Sequence, residues 1–313
     1  MFKSRSAERH PFSSLLLLLL LVFACAIVFS IIAFVIGVLI YGFQPLIRMS
    51  EGDSSNVEML RLFQIVSSFG MFVVAALIFA RLQSNDWLNY LNLKKFNLIL
   101  AILTILIMLS FGPLLEFSNE LNKNMVLPEF LKEIEAWMKL KEAQMAEMTK
   151  QLLVMNSVPV LLVNMLMLAI IPAVGEELIF RGCLQRIFGR WTGNYHVAIW
   201  ITAIIFSTIH FQFYGFMPRM LLGALFGYLL VWSGSLWLPI LAHFMNNGVA
   251  VVTAYVFQQQ GKSLDLMYEP DPASQPIFIA SIAAFSVLLW YFYTYTLKLK
   301  EINTDISDGS RLG

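Results

Sequence analysis

Ile171-Pro-Ala-Val-Gly-Glu-Glu-Leu-Ile-Phe-Arg-Gly-Cys-Leu-Gln-Arg186 sets two adjacent carboxylates, Glu176 and Glu177, and a guanidinium, Arg181, inside an apolar run long enough to cross a membrane. A charged side chain near the middle of a membrane helix costs roughly 2.5–3.5 kcal/mol on insertion scales. Three of them in six consecutive positions are hard to explain as structural filler, so the stretch reads as functional.

The surroundings that make these charges costly extend through the chain. Of 313 residues, 58% are hydrophobic and 13% charged, with a mean hydropathy of +0.73. Soluble domains run about 45–50% apolar and about 25% charged, so the composition specifies an all-α, polytopic membrane bundle. The net charge of +1 singles out no charged partner, and no nucleic acid is expected. Cys25 and Cys183 are too few for a disulfide framework or a cysteine-based zinc site and read as small core or lipid-facing residues.

Apolar runs of about 18 residues or more predict eight spans, roughly 14–43, 59–82, 98–117, 157–188, 196–217, 219–233, 236–257 and 277–297. The first is too long for a signal-peptide core and reads as an uncleaved span. Basic residues fall in alternate loops: Lys3, Arg5 and Arg9, then Arg81, Lys94 and Lys95, then Arg181, Arg186 and Arg190, then Lys298 and Lys300. Glu51, Asp53, Glu58, Asp265, Glu269 and Asp271 fall in the others, so the positive-inside rule expects both termini in the cytoplasm. The chain divides into 1–156 (spans one to three and an extramembrane segment), 157–257 (spans four to seven, the chemical core) and 258–313 (a loop, the last span and a polar tail).

Within the long loop 118–156, Phe130, Ile134, Trp137, Met145, Met148 and Leu152 recur at helical spacing among charges. This predicts an amphipathic helix at about 128–155, lying on the membrane or capping the bundle, with a lid or substrate guide as the sharper use.

Polar residues in the spans need partners, because hydrocarbon offers none. Besides the opening three, they are His210, His243 and Asn247. Glu177 and Arg181 are i,i+4 and can pair, whereas Glu176 points about 100° away. Glu176 precedes the turn glycine Gly193 by 17 residues and His210 follows it by 17. In an antiparallel hairpin both sit ~25 Å from the turn. His243 and Asn247 share a face one turn apart. Glu176 with His210 could deprotonate a water, and His243 with Asn247 could donate to an oxyanion. The rival use is zinc held by Glu176, His210 and His243 with one open position, although the His-Glu-x-x-His pattern of common zinc proteases is missing. Structural uses stand beside these: Glu177–Arg181 as a helix clamp, Asn247 as interhelical glue, Gly223 and Gly227 as a close helix contact. Pro172, Pro218 and Pro239 read as kinks or boundaries.

Glu176-Glu177-Leu-Ile-Phe-Arg181, Phe206 to His210 and His243 to Asn247, in order on separate spans, resemble the type II CAAX prenyl protease and bacteriocin-processing family, which includes the lysostaphin-resistance-protein-like branch. The resemblance covers about residues 160–255. It implies an intramembrane endopeptidase acting on a membrane-embedded or lipidated peptide or protein. Glu176 and His210 would activate water, His243 and Asn247 would bind the oxyanion, and Glu177 and Arg181 would orient them. The family is described both as metalloproteases and as glutamate-dependent enzymes, so zinc stays open. Bacterial members make a bacterial inner membrane the expected location. A non-enzymatic scaffold or bacteriocin self-immunity protein is the alternative, using the same cluster to bind a partner. A proton-coupled transporter is a third, disfavoured because no inverted repeat is visible.

Overall fold

The computed structural model describes residues 9–45, 47, 56–268 and 274–309, apart from the side chains at 268, 274–276 and 303–309. The expectations for Lys3, Arg5, Glu51, Asp53, Glu269 and Asp271 lie outside these residues. Among the described residues there is no strand; the fold is a bundle of α1 (Pro11–Tyr41), α2 (Val57–Gln83), α3 (Leu98–Lys123), α4 (Lys132–Leu152), α5 (Val158–Thr192), α6 (Tyr195–Thr208), α7 (Phe216–Ser233), α8 (Trp237–Gln259) and α9 (Ser274–Gly309). Seven of these are long and apolar enough to cross a membrane; α4 and α6 are not among them.

The local chemistry accounts for the boundaries. α5 ends where Gly193 takes a left-handed φ of +67°, and Asn194 then caps α6 by accepting from the N–H groups of His196 and Val197. Gly234 (φ +72°) does the same between α7 and α8. Pro218 and Pro239 lie in the first turns of their helices, where a missing N–H costs nothing. Pro172 is internal, immediately after a π-helical segment, Met165–Ile170. A second π segment, Leu178–Leu184, follows Glu177. The acidic pair thus sits on a short α stretch between two wide turns, a device that recurs at functional sites.

Arg190 donates to the Arg9 carbonyl, Arg186 packs 4.3 Å over the Tyr90 ring, and Ser235 Oγ donates to the Lys94 carbonyl, so these basic residues gather at one end. At the opposite end the predicted amphipathic helix is α4. Buried Arg61, ion-paired with Glu58, donates to the carbonyls of Leu152 and Val154, while Gln258 bridges Leu153 and Met155. Lys150 pairs with exposed Asp265, whose carboxyl is held below its ordinary range by hydrogen bonds from Lys150 and Ser263.

The fifth expected span, 196–217, is corrected. α6 stops at Thr208, and Phe211 adopts φ +53°, turning the chain back through a 3₁₀ segment, Phe213–Gly215. Fourteen residues of α6 reach ~21 Å, short of an apolar layer of ~30 Å. His210 therefore lies in a non-helical connection rather than in a helix. Such backbone is tolerated at membrane depth only where protein or a water-lined cavity satisfies it. Here side chains do so: Asn122 donates to the Phe213 carbonyl and accepts from Met217, and Glu142 accepts from the Tyr214 N–H. Ser207 donates to the Phe216 carbonyl.

α5 is seated against α2 through Gly175, where a Cβ would fall 2.6 Å from Phe72 Cβ and 3.2 Å from Val73 Cγ2. Phe72 Cβ is fixed to its backbone, so alanine forces the helices apart beside Glu176. Gly175→Ala is expected to lower stability by about 1–3 kcal/mol, read as an earlier thermal unfolding midpoint in detergent.

Candidate functional site

Helix α5 places Glu177 and Arg181 in the interior with no exposed side-chain surface (0%), and Arg181 Nη1 donates to Glu177 Oε1 at 2.6 Å. The i,i+4 pairing expected from spacing is present. The same oxygen accepts from His243 Nδ1 of α8 at 2.9 Å. The second Arg181 nitrogen donates to the Gly223 carbonyl at 2.9 Å, and the guanidinium carbon lies 4.7 Å from the Phe206 ring and 5.3 Å from the Phe226 ring. One turn further along, Gln185 donates to the Gly227 carbonyl at 3.3 Å. Gly223 and Gly227 thus have a double use: they bring α7 close and leave two carbonyls accessible to side chains of α5. A Cβ at Gly227 would fall 2.7 Å from Gln185 Oε1.

The ring of His243 is stacked on Phe226 (centroids 5.3 Å) and meets Phe206 edge-on at 6.1 Å. A carboxylate accepts hydrogen bonds and donates none, so Glu177 holds the hydrogen of His243 on Nδ1 and leaves Nε2 as an acceptor. That Nε2 lies 3.9 Å from Glu176 Oε2. Glu176 itself is 13% exposed by its side chain and makes no hydrogen bond among the described residues. His210 is oriented by a different device. Its Nδ1 donates to the Phe206 carbonyl at 2.6 Å, and its ring packs edge-on against Phe206 at 5.0 Å.

The structure therefore brings Glu176, Glu177, Arg181 and His243 into direct or near-direct contact, with His210 joined to them through Phe206. The imidazole within ion-pair range of Glu176 is that of His243, not His210. Asn247 Nδ2 donates to the Leu168 carbonyl at 3.0 Å, and Oδ1 accepts from Asn246. It ties α8 to the π segment of α5, as interhelical glue does.

The zinc set expected from the sequence is Glu176, His210 and His243. Among the described residues no three His, Cys, Asp or Glu side chains are gathered as a metal requires. No step below runs through a metal.

Two residues near the site were not singled out in the sequence. Arg219, in the first turn of α7, donates to the side chain and carbonyl of Gln212, two residues beyond His210. Glu142 reaches from α4 to the connection that carries His210. The signal for Arg219 was a charge inside an apolar helix, disguised by its position at the expected boundary between two spans. Glu142 had none, being one of several acids on an amphipathic helix.

Residues 158–249 match the model of a family described as Type II CAAX prenyl endopeptidase Rce1-like, and this stretch contains all three motifs. The resemblance carried by those motifs is shown over that region. Across 90 residues the chain is 29% identical to the uncharacterized protein YpbD of Bacillus subtilis (strain 168), an alignment covering 28% of this chain and 43% of that relative. The chain thus spans less than half the length of the curated relative it matches. No solved structure matches it.

Proposed function

We propose that this chain is an intramembrane endopeptidase of a bacterial cell membrane, hydrolysing a peptide bond of a membrane-embedded or lipidated peptide or protein. The observation that carries the reading is the gap between Glu176 Oε2 and His243 Nε2. At 3.9 Å it is too long for a direct hydrogen bond and suited to one water held by both. The Glu177–Arg181 pair fixes the imidazole behind it.

In the proposed step the water oxygen attacks the substrate carbonyl carbon and its proton passes to Glu176. Charge develops on the carbonyl oxygen within the field of Arg219. Collapse of the tetrahedral species breaks the C–N bond, and Glu176 returns the proton to the departing amine. Asn247 has one amide hydrogen left beyond its bond to Leu168, so it serves chiefly to hold α8 in register with α5. Phe206 and Phe226 exclude bulk water from one side, which strengthens every charge interaction in the site.

The test is cleavage of a lipid-anchored fluorogenic peptide by the purified protein in proteoliposomes, with and without chelator and with metal content measured in parallel. Cleavage at one bond that persists in metal-free protein is the expected result. Activity that vanishes with chelation and returns with zinc overturns the water mechanism. Folded protein that cleaves no membrane peptide favours the scaffold or immunity reading.

A further inference from the structure

Two arginines buried in membrane helices, Arg61 and Arg181, each hold a carboxylate at 2.6 Å, Glu58 and Glu177 respectively. Arg219 does not. Its hydrogen bonds go to neutral oxygens of one residue, the side-chain Oε1 of Gln212 at 2.5 Å and the Gln212 carbonyl at 3.4 Å. Glu142 and Glu176 lie within electrostatic range of it but outside ion-pair distance among the described residues, and Glu142 already accepts from the Tyr214 N–H. A guanidinium has five N–H donors; two bonds to Gln212 leave three uncommitted.

The surroundings hold this cation in place. Gly215 leaves room for it: a Cβ there would fall 3.3 Å from Arg219 Nη2. Phe211 accepts a left-handed backbone, a conformation costly for an aromatic residue, and the turn brings Gln212 back to the guanidinium. The same connection carries His210. A half-buried charge held rigidly on the connection that carries His210, without the counterion its counterparts have, is a cation arranged for a ligand.

We propose that Arg219 is a subsite for a carboxylate of the substrate peptide, close to the scissile bond on the side of the His210 connection. This rests on the peptidase reading above and adds the substrate's charge to it. A carboxylate matches the fork of an arginine with two parallel, charge-assisted hydrogen bonds. It can come from the peptide C-terminus or from an Asp or Glu side chain.

The test uses the full chain in proteoliposomes and three lipid-anchored peptides of one sequence: a free C-terminus, an amidated C-terminus, and an amidated C-terminus with Asp beyond the scissile bond. For wild type, KM for the preferred carboxylate peptide is expected about tenfold or more below that for the neutral amide, the size of one charge-assisted pair. Preference for the first peptide alone assigns the C-terminus; preference for the third assigns a side chain. Arg219→Gln collapses the KM ratio toward one, and Arg219→Lys, a point charge without the fork, retains part of it. Equal KM for all three peptides, or an Arg219→Gln ratio like wild type, overturns the proposal. If Arg219→Gln fails to fold, Arg219→Lys decides: a reduced ratio supports the subsite and an unchanged one removes it. Peptide binding measured in the Glu176→Gln background separates the two readings. A carboxylate preference there that Arg219 substitution abolishes keeps the subsite even where no peptide is cleaved, and its absence removes the subsite even where cleavage persists.

Discussion

Glu177→Ala is expected to destabilise the protein by about 3–5 kcal/mol, the range found when one partner of a buried ion pair is removed. Glu177 and Arg181 side chains are both 0% exposed, so no solvent stands ready to replace the lost carboxylate. The Gly223 carbonyl and the Phe206 and Phe226 rings remain around the guanidinium, but none of them neutralises it. His243 also loses the acceptor of its Nδ1 hydrogen and with it the orientation of its ring. Against a typical total stability of about 5–15 kcal/mol, this is a large share of what holds the fold together. The effect is specific to leaving one charge alone. Glu177→Leu combined with Arg181→Met removes both charges at similar volume, and such swaps are often neutral or stabilising. The double variant is therefore expected to unfold closer to wild type than Glu177→Ala does, while remaining inactive. Thermal unfolding in detergent measures both. An alanine variant that melts with wild type shows that the buried Glu177 carboxylate is not what holds α5 to α8.

What could be read in the sequence was local. The Glu177–Arg181 contact follows from i,i+4 spacing, and the turns at Gly193 and Gly234 follow from glycine between apolar runs. Composition was enough for a helical membrane bundle. Contacts spanning long separations were not legible. Glu177 meets His243 across 66 positions, and no periodicity encodes that pairing. The depth argument that set Glu176 opposite His210 assumed a helix continuing through residue 210. Phe211, Phe213 and Phe216 keep the run apolar, so hydropathy sees no break; the break is the positive φ at Phe211 and the side chains that satisfy the exposed backbone. The amphipathic pattern of α4 was visible, whereas its anchors, Arg61 and Gln258, lie in other helices.

Glu176→Gln is expected to reduce kcat for peptide cleavage by about 10²–10⁴-fold, the usual contribution of a positioned general base, with an unfolding midpoint close to wild type. The contrast with its neighbour follows from position. Glu176 lies about 100° round the helix from Glu177, its side chain is 13% exposed, and it makes no protein hydrogen bond among the described residues. An isosteric amide therefore leaves no buried donor or cation without a partner; it removes only the ability to take a proton. Glu176→Asp keeps that ability but withdraws the carboxylate by one methylene from the 3.9 Å gap to His243. A displacement of about 1 Å can cost about 10²-fold in an oriented reaction, so Asp is expected to fall between wild type and Gln in kcat while melting like both. Two adjacent glutamates thus separate into one whose loss is read in stability and one whose loss is read in turnover. Cleavage by folded Glu176→Gln within a few-fold of wild type places the base on another residue and leaves the water between Glu176 and His243 without a role.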